Sequence, residues 1–142
     1  MSIGSEAVLA GSCRQDTLGS MKHSPGFLKV VDDAKARVRE VTVAEARARL
    51  TANPRAVLVD VREESEWAAQ HAAEAQHLGK GIFERDLESR FPDPTTELIL
   101  YCGGGFRSAL AADVAQRMGY SAVVSLAGGF RAMAEAGWPM TR

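Results

Sequence analysis

Cysteine is scarce in this chain, with only Cys13 and Cys102 among 142 residues. Two cysteines cannot build a disulfide framework or a four-cysteine zinc site. Histidine is nearly as rare: His23, His71 and His77 offer no third or fourth ligand at metal-binding spacing. Charge of one sign is lacking too. The 17 basic and 18 acidic residues leave a formal charge of −1, so the whole chain carries no nucleic-acid footprint. No apolar run approaches the ~18 residues that would span a bilayer. The first residues have no lysine or arginine before Arg14 and no apolar stretch longer than Val8-Leu9-Ala10. A secretory signal needs both. Residues 1–23 therefore read as a flexible polar leader, and a cytoplasmic, reducing compartment is the default expectation. Cys13 falls in that leader without a convincing role; a resolving thiol for Cys102 is the minor reading. What the chain does have is 46% hydrophobic and 25% charged residues, the composition of a globular domain.

The pattern along the chain alternates helices with buried strands. Ser24-Pro25 is a helix start, with a serine cap and proline in the first turn. Phe27, Val30, Val31, Ala34 and Val38 continue it at helical spacing over 25–38 as an N-terminal extension, 24–39, to a domain at 40–142. Thr42-Val43-Ala44-Glu45 is a capping box that opens a helix through Leu50, stopped near Asn53-Pro54. Residues 35–55 hold six basic side chains against Glu40 and Glu45, a local excess that reads as a solvated helical face, with an anionic partner as the alternative. Ala56–Val61 is continuously apolar up to Asp60, as expected of a strand buried on both faces of a parallel sheet. A helix follows over Glu63–Gln70, then a short strand at Gln76–Leu78 and a helix at Ile82–Arg90. Strands at Glu97–Tyr101 and Ala122–Leu126 flank a helix at Arg107–Met118. Gly128-Gly129 reads as a turn before a last helix, Phe130–Ala136. Such alternation implies an α/β domain with a mostly parallel central sheet and helices on both faces.

The chemistry lies in Tyr101-Cys102-Gly103-Gly104-Gly105-Phe106-Arg107-Ser108, between a buried strand and a helix. An open α/β sheet binds its ligands at such a place. Three successive glycines let consecutive N–H groups turn inward as an anion-holding nest. The next helix presents its positive N-terminal end to the same point, and Arg107 adds a full charge. This setting stabilises a thiolate, and a thiolate there is a nucleophile. The segment has neither the Lys-Ser/Thr of a phosphate-binding loop nor the glycine spacing of a dinucleotide site. A buried packing role for Cys102 is the bland alternative.

At this point the sequence resembles the rhodanese-like domains over about residues 40–140. The matching segments are Leu58-Val59-Asp60-Val61-Arg62-Glu63, Glu66-Trp67, His77-Leu78-Gly79-Lys80-Gly81, Cys102–Ser108, Gly119-Tyr120, Gly128-Gly129 and Gly137-Trp138-Pro139. The helix from His23-Ser24-Pro25 is similar to that of a bacterial single-domain subgroup. The resemblance implies a sulfurtransferase that moves sulfane sulfur from thiosulfate or a related small anionic donor to a thiol or cyanide, or to an acceptor protein. It implies a persulfide on Cys102, cradled by the N–H groups of Gly103, Gly104, Gly105, Phe106, Arg107 and Ser108. Arg107 closes the loop and helps to hold the donor, while Asp60 and Arg62 buttress it. Neither a metal nor a cofactor is implied, and neither nucleic acid nor membrane is a partner. A persulfide carrier or docking module without free turnover is the alternative.

Loop length separates sulfur from phosphorus chemistry. Four residues lie between Cys102 and Arg107, whereas the related phosphatases and arsenate reductases carry Cys-x5-Arg and would need arginine at Ser108. The chain departs from the family at Gln70-His71-Ala72-Ala73-Glu74-Ala75, where both glycines and the proline of Gly-His-Ile-Pro-Gly-Ala are missing. More helix and a changed rim are expected there. Met133 stands where a tryptophan is usual and should fill the gap by packing. His71 and His77 read as residues that cap a helix or line a cleft, and Trp67 and Trp138 as core or rim packing.

Overall fold

The computed structural model describes residues 23–142. Cys13 and the leader expectation lie outside them. The chain divides at Val30–Val31, inside helix α1 (Pro25–Lys35), into a short N-terminal unit and a body of residues 31–142. In the first unit the Ser24 carbonyl accepts the Leu28 N–H at 3.0 Å, which closes the first helical turn. The His23 and Phe27 rings lie 5.2 Å apart there.

The body runs β1 (Arg39–Val41), α2 (Val43–Ala52), β2 (Val57–Asp60), α3 (Glu64–Ala69), β3 (His71–Ala72), β4 (Gln76–His77), α4 (Phe83–Arg90), β5 (Leu98–Tyr101), α5 (Phe106–Arg117), β6 (Val123–Leu126), α6 (Gly129–Glu135) and β7 (Met140–Thr141). Five strands form a parallel sheet in the order β1-β6-β5-β2-β4. The α/β fold with a parallel central sheet is thus as expected. Among the described residues no helix is long and apolar enough to cross a membrane.

Strand periodicity divides the core. Leu98 and Leu100 of β5, with Cys102 beyond it, join the cluster with Phe83, Leu87, Ala111 and Ala115 of α4 and α5. Ile99 and Tyr101 point the other way and pack with Ala46 of α2 and Met133 of α6. All four β5 side chains are buried, because both faces are covered. Met133 is fully buried and does fill the space read for it.

The Thr42 box forms as expected: Glu45 N–H donates to Thr42 Oγ1 at 3.1 Å, and Thr42 N–H to Glu45 Oε1 at 2.8 Å. The basic stretch is largely neutralised within the molecule. Arg37 forks Asp113, Arg47 meets Glu74 at 3.1 Å and Arg49 meets Glu97 at 2.8 Å. It is therefore less a free solvated face than a set of ties to α5, to the residue before β5 and to the segment before β4.

Three short strands went unread. β1 carries one buried apolar residue, and β3 pairs antiparallel with β7 over two residues, leaving no run or alternation to detect. β3 also corrects the expectation of more helix after Gln70. The helix ends at Ala69, and the Tyr101 hydroxyl accepts the Ala72 N–H at 3.1 Å, holding that backbone extended. Burial pushes the Tyr101 hydroxyl pKa well up, so it stays protonated.

Candidate active site

Cys102 follows the last residue of the central strand β5 and is 1% exposed. Its position comes from register. Asp60 of β2 pairs with Tyr101, and Val61 N–H donates to the Tyr101 carbonyl at 2.9 Å, so the ends of β2 and β5 lie side by side.

The chain curls immediately after Cys102. Gly105 N–H donates to Cys102 Sγ at 3.1 Å. Gly105 has φ +99°, a left-handed conformation that favours glycine. It is also the residue before α5, so the curl leads straight into that helix's N-terminus. The thiol donates to Ser108 Oγ at 3.6 Å, and Ser108 Oγ lies 2.8 Å from Ser125 Oγ on β6. Both serines are fully buried, so they satisfy one another beneath the sulfur. A side chain at Gly104 would meet open space, which makes that residue the mouth of the loop.

The loop's carbonyls are held from outside. Phe130 N–H donates to the Cys102 carbonyl at 2.7 Å, and Arg131 N–H to the Gly103 carbonyl at 3.2 Å. These contacts tie both carbonyls to the first turn of α6. They require Gly129, whose φ is +53° and whose missing Cβ would press on the Cys102 carbonyl oxygen and lie 2.8 Å from the Gly103 carbonyl carbon. Gly128-Gly129 was legible as a turn; its role as a buttress was not.

Arg107 closes the curl but is not free. Its Nη1 and Nη2 donate to the two Glu66 oxygens at 2.7 and 3.1 Å. Glu66 Oε2 also accepts the Glu63 N–H at 3.0 Å, which anchors the carboxylate to the start of α3. The Arg107 hydrogen bond holds the Glu66 carboxyl below its usual range, partly opposed by burial. The same hydrogen bond raises the Arg107 pKa. Glu66 is a site residue that sequence reasoning missed. Its visible signal is Glu66-Trp67 among the matching segments, which carries no role by itself.

Asp60 and Arg62 form a buried pair behind the loop. Arg62 Nη2 and Nε donate to Asp60 at 2.8–3.1 Å, and Nη2 also donates to the Gln70 carbonyl at 2.6 Å. The guanidinium lies 4.3 Å from the centroid of the Phe130 ring, over the residue that holds the Cys102 carbonyl. The pair therefore reaches the loop through Phe130 rather than directly. His71 and His77 stack on Trp67, with ring centroids 3.4 and 5.0 Å away. Their ring nitrogens face the Trp67 and Arg62 carbonyls at 2.7 and 2.8 Å. His71 thus caps the last turn of α3, one of the roles expected of the histidines, and His77 bridges Trp67 and the Arg62 carbonyl. Trp138 is buried and donates to Glu74 at 2.9 Å.

A buried cysteine at the end of the central parallel strand, curled into a six-residue loop that an arginine closes, defines a cysteine-loop α/β domain. The chain belongs to the rhodanese-like domain family, which matches residues 42–136. It is 34% identical over 109 residues to the probable adenylyltransferase/sulfurtransferase MoeZ of Mycobacterium tuberculosis, covering 75% of this chain but only 28% of that protein. Among solved structures, a Rhodopseudomonas palustris protein described as a possible tyrosine phosphatase is 29% identical, with a TM-score of 0.72, over 86% of this chain and 98% of the other. The polysulfide-sulfur transferase homodimer of Wolinella succinogenes is 26% identical, with a TM-score of 0.71, over 82% and 87%.

Proposed function

We propose that this domain is a sulfurtransferase in which Cys102 carries the sulfur as a persulfide. The thiolate attacks the outer sulfur of a sulfane donor such as thiosulfate. A bond forms between Cys102 Sγ and that sulfur, and the donor's S–S bond breaks, its electron pair leaving with sulfite. An acceptor thiolate or cyanide then attacks the terminal sulfur and returns the electron pair to Cys102. No oxidant, metal or cofactor enters either step.

The curl that puts Gly105 N–H on the sulfur supports this reading most strongly. In this reading Gly103, Gly104, Gly105 and Phe106 would form a nest around the terminal sulfur, with Ser108 hydrogen-bonded to the thiol. Arg107 closes the nest, and its charge is balanced by Glu66. Asp60 and Arg62 support it through Phe130. The cytoplasm would keep the thiol reduced between turnovers. Loop length argues against phosphoryl transfer, because Ser108 occupies the arginine position of a seven-residue loop.

Mass spectrometry after thiosulfate treatment tests the proposal. The expected result is one added sulfur atom on Cys102, absent in Cys102→Ser. A protein that gains no sulfur from any sulfane donor, organic persulfides included, overturns it. The departure from the family at residues 70–75 favours a second reading, in which the persulfide is handed to a protein acceptor rather than a free thiol. Under that reading loading is normal, but thiosulfate:cyanide turnover by the isolated domain is negligible.

A further inference from the structure

The loop arginine cannot supply free positive charge to a donor, because Glu66 binds its guanidinium with both oxygens. Lys35, whose Nζ lies 4.8 Å from the centroid of the Phe106 ring, is paired with Glu40 at 3.5 Å. Arg131 is different. It is exposed, and its side chain has no hydrogen bond or ion pair among the described residues. Its backbone N–H is bonded to the carbonyl of Gly103, the residue after the nucleophile. Helical Cα–Cβ bonds tilt toward the N-terminus. Arg131, in the first turn of α6, is therefore directed back toward the Cys102–Gly103 end of the loop. The adjacent mouth at Gly104 is open. The N–H groups of Phe130 and Arg131 are already used on loop carbonyls, so the guanidinium itself, rather than the helix end, is what a ligand meets there.

Resting on the sulfurtransferase reading above, we propose that Arg131 is a specificity-determining residue. It receives the anionic end of the donor and so selects sulfane donors whose leaving group carries an oxyanion, as in thiosulfate. The outer sulfur sits over Cys102 while the sulfonate lies outside the nest, toward the mouth. There the planar guanidinium presents paired N–H donors to two sulfonate oxygens. As the S–S bond breaks, the electron pair and the negative charge depart with sulfite on the side that Arg131 occupies.

Two measurements test this. The first is thiosulfate binding by calorimetry to Cys102→Ser and to Cys102→Ser/Arg131→Gln. Loss of the guanidinium should weaken binding about fivefold, the scale of a solvent-accessible charge contact. Arg131→Lys should restore part of it. The second compares donors kinetically. Arg131→Gln should raise KM for thiosulfate about fivefold with kcat unchanged. Transfer from the persulfide of 2-mercaptoethanol, which has no anionic group beyond the sulfur, should be unaffected. Equal thiosulfate affinity with and without Arg131, no thiosulfate binding at all, or an equal loss for both donors overturns the proposal. If wild-type Cys102 still becomes a persulfide in those cases, only the role of Arg131 fails. If it never does, the sulfurtransferase reading fails.

Discussion

The Glu66 carboxylate grips Arg107 with both oxygens, at 2.7 and 3.1 Å, and the same carboxylate caps the Glu63 N–H. One acidic side chain thus joins the start of α3 to the closing residue of the cysteine loop. The pair is about one-third exposed, which limits its strength through solvent screening, but its bidentate geometry fixes the direction of the guanidinium.

Replacing Glu66 with Gln keeps the size of the side chain and removes the second acceptor oxygen. It breaks the charged fork, while the remaining oxygen still accepts the Glu63 N–H. The expected stability loss is about 0.5–1 kcal/mol, from the partly exposed pair. Chemical denaturation measures it. Persulfide loading should slow as Arg107 loosens, and wild-type loading rates would show that Arg107 needs no such anchor.

The same pair sets an acid limit. Arg107 holds the folded-state pKa of Glu66 below the ordinary value of about 4.3. A depressed carboxyl contributes its full stability above the unfolded pKa and loses it as pH falls through the folded one. Thermal denaturation between pH 6 and pH 3 (roughly the range around a glutamate pKa) should show this component in the wild type. Glu66→Gln should lack it, and parallel profiles for the two would remove Glu66 from the acid response.

Gly129→Ala places a methyl group against the Cys102 carbonyl oxygen and 2.8 Å from the Gly103 carbonyl carbon, at φ +53°. The left-handed backbone alone costs an alanine about 1–2 kcal/mol. The methyl also pushes α6 off the loop. Persulfide loading should fall more than about tenfold, a change that needs only ~1.4 kcal/mol at the transition state. Mass spectrometry of the folded protein gives the loading, and an unaffected rate would show that the loop keeps its curl without this buttress.

Asp60→Asn leaves Arg62 buried and uncompensated. Breaking such a pair costs about 3–5 kcal/mol. Chemical denaturation should show that loss, while the protein that remains folded still loads sulfur on Cys102. Full stability with abolished loading would instead give Asp60 a chemical role.

Much of the domain was legible because its signals are local. Continuous apolar runs at 56–59 and 98–101 mark strands covered on both faces, and Thr42-Val43-Ala44-Glu45 carries its own cap chemistry. The short edge strands β1, β3 and β7 have no such signal. Each is set by its pairing partner, as Ala72 is by Met140 and by the Tyr101 hydroxyl. The missing glycines and proline at 70–75 suggested more helix. Pairing with β7 outweighs that local preference.

The amino-acid sequence by itself determined the alternation of helices and strands, the six-residue spacing from Cys102 to Arg107 and the glycines that let the backbone turn inward. Those depend on neighbours along the chain. Tertiary structure alone decided which charges are free. Arg107 is bound to Glu66, 41 positions away, and Arg37, Arg47 and Arg49 of the basic stretch are matched by acids distant in the chain. It also brought the first turn of α6 onto the loop carbonyls and set the Arg131 N–H on the carbonyl of Gly103, next to Cys102. Charge compensation and peptide orientation act over ångströms in space, and spacing along the chain does not encode those distances.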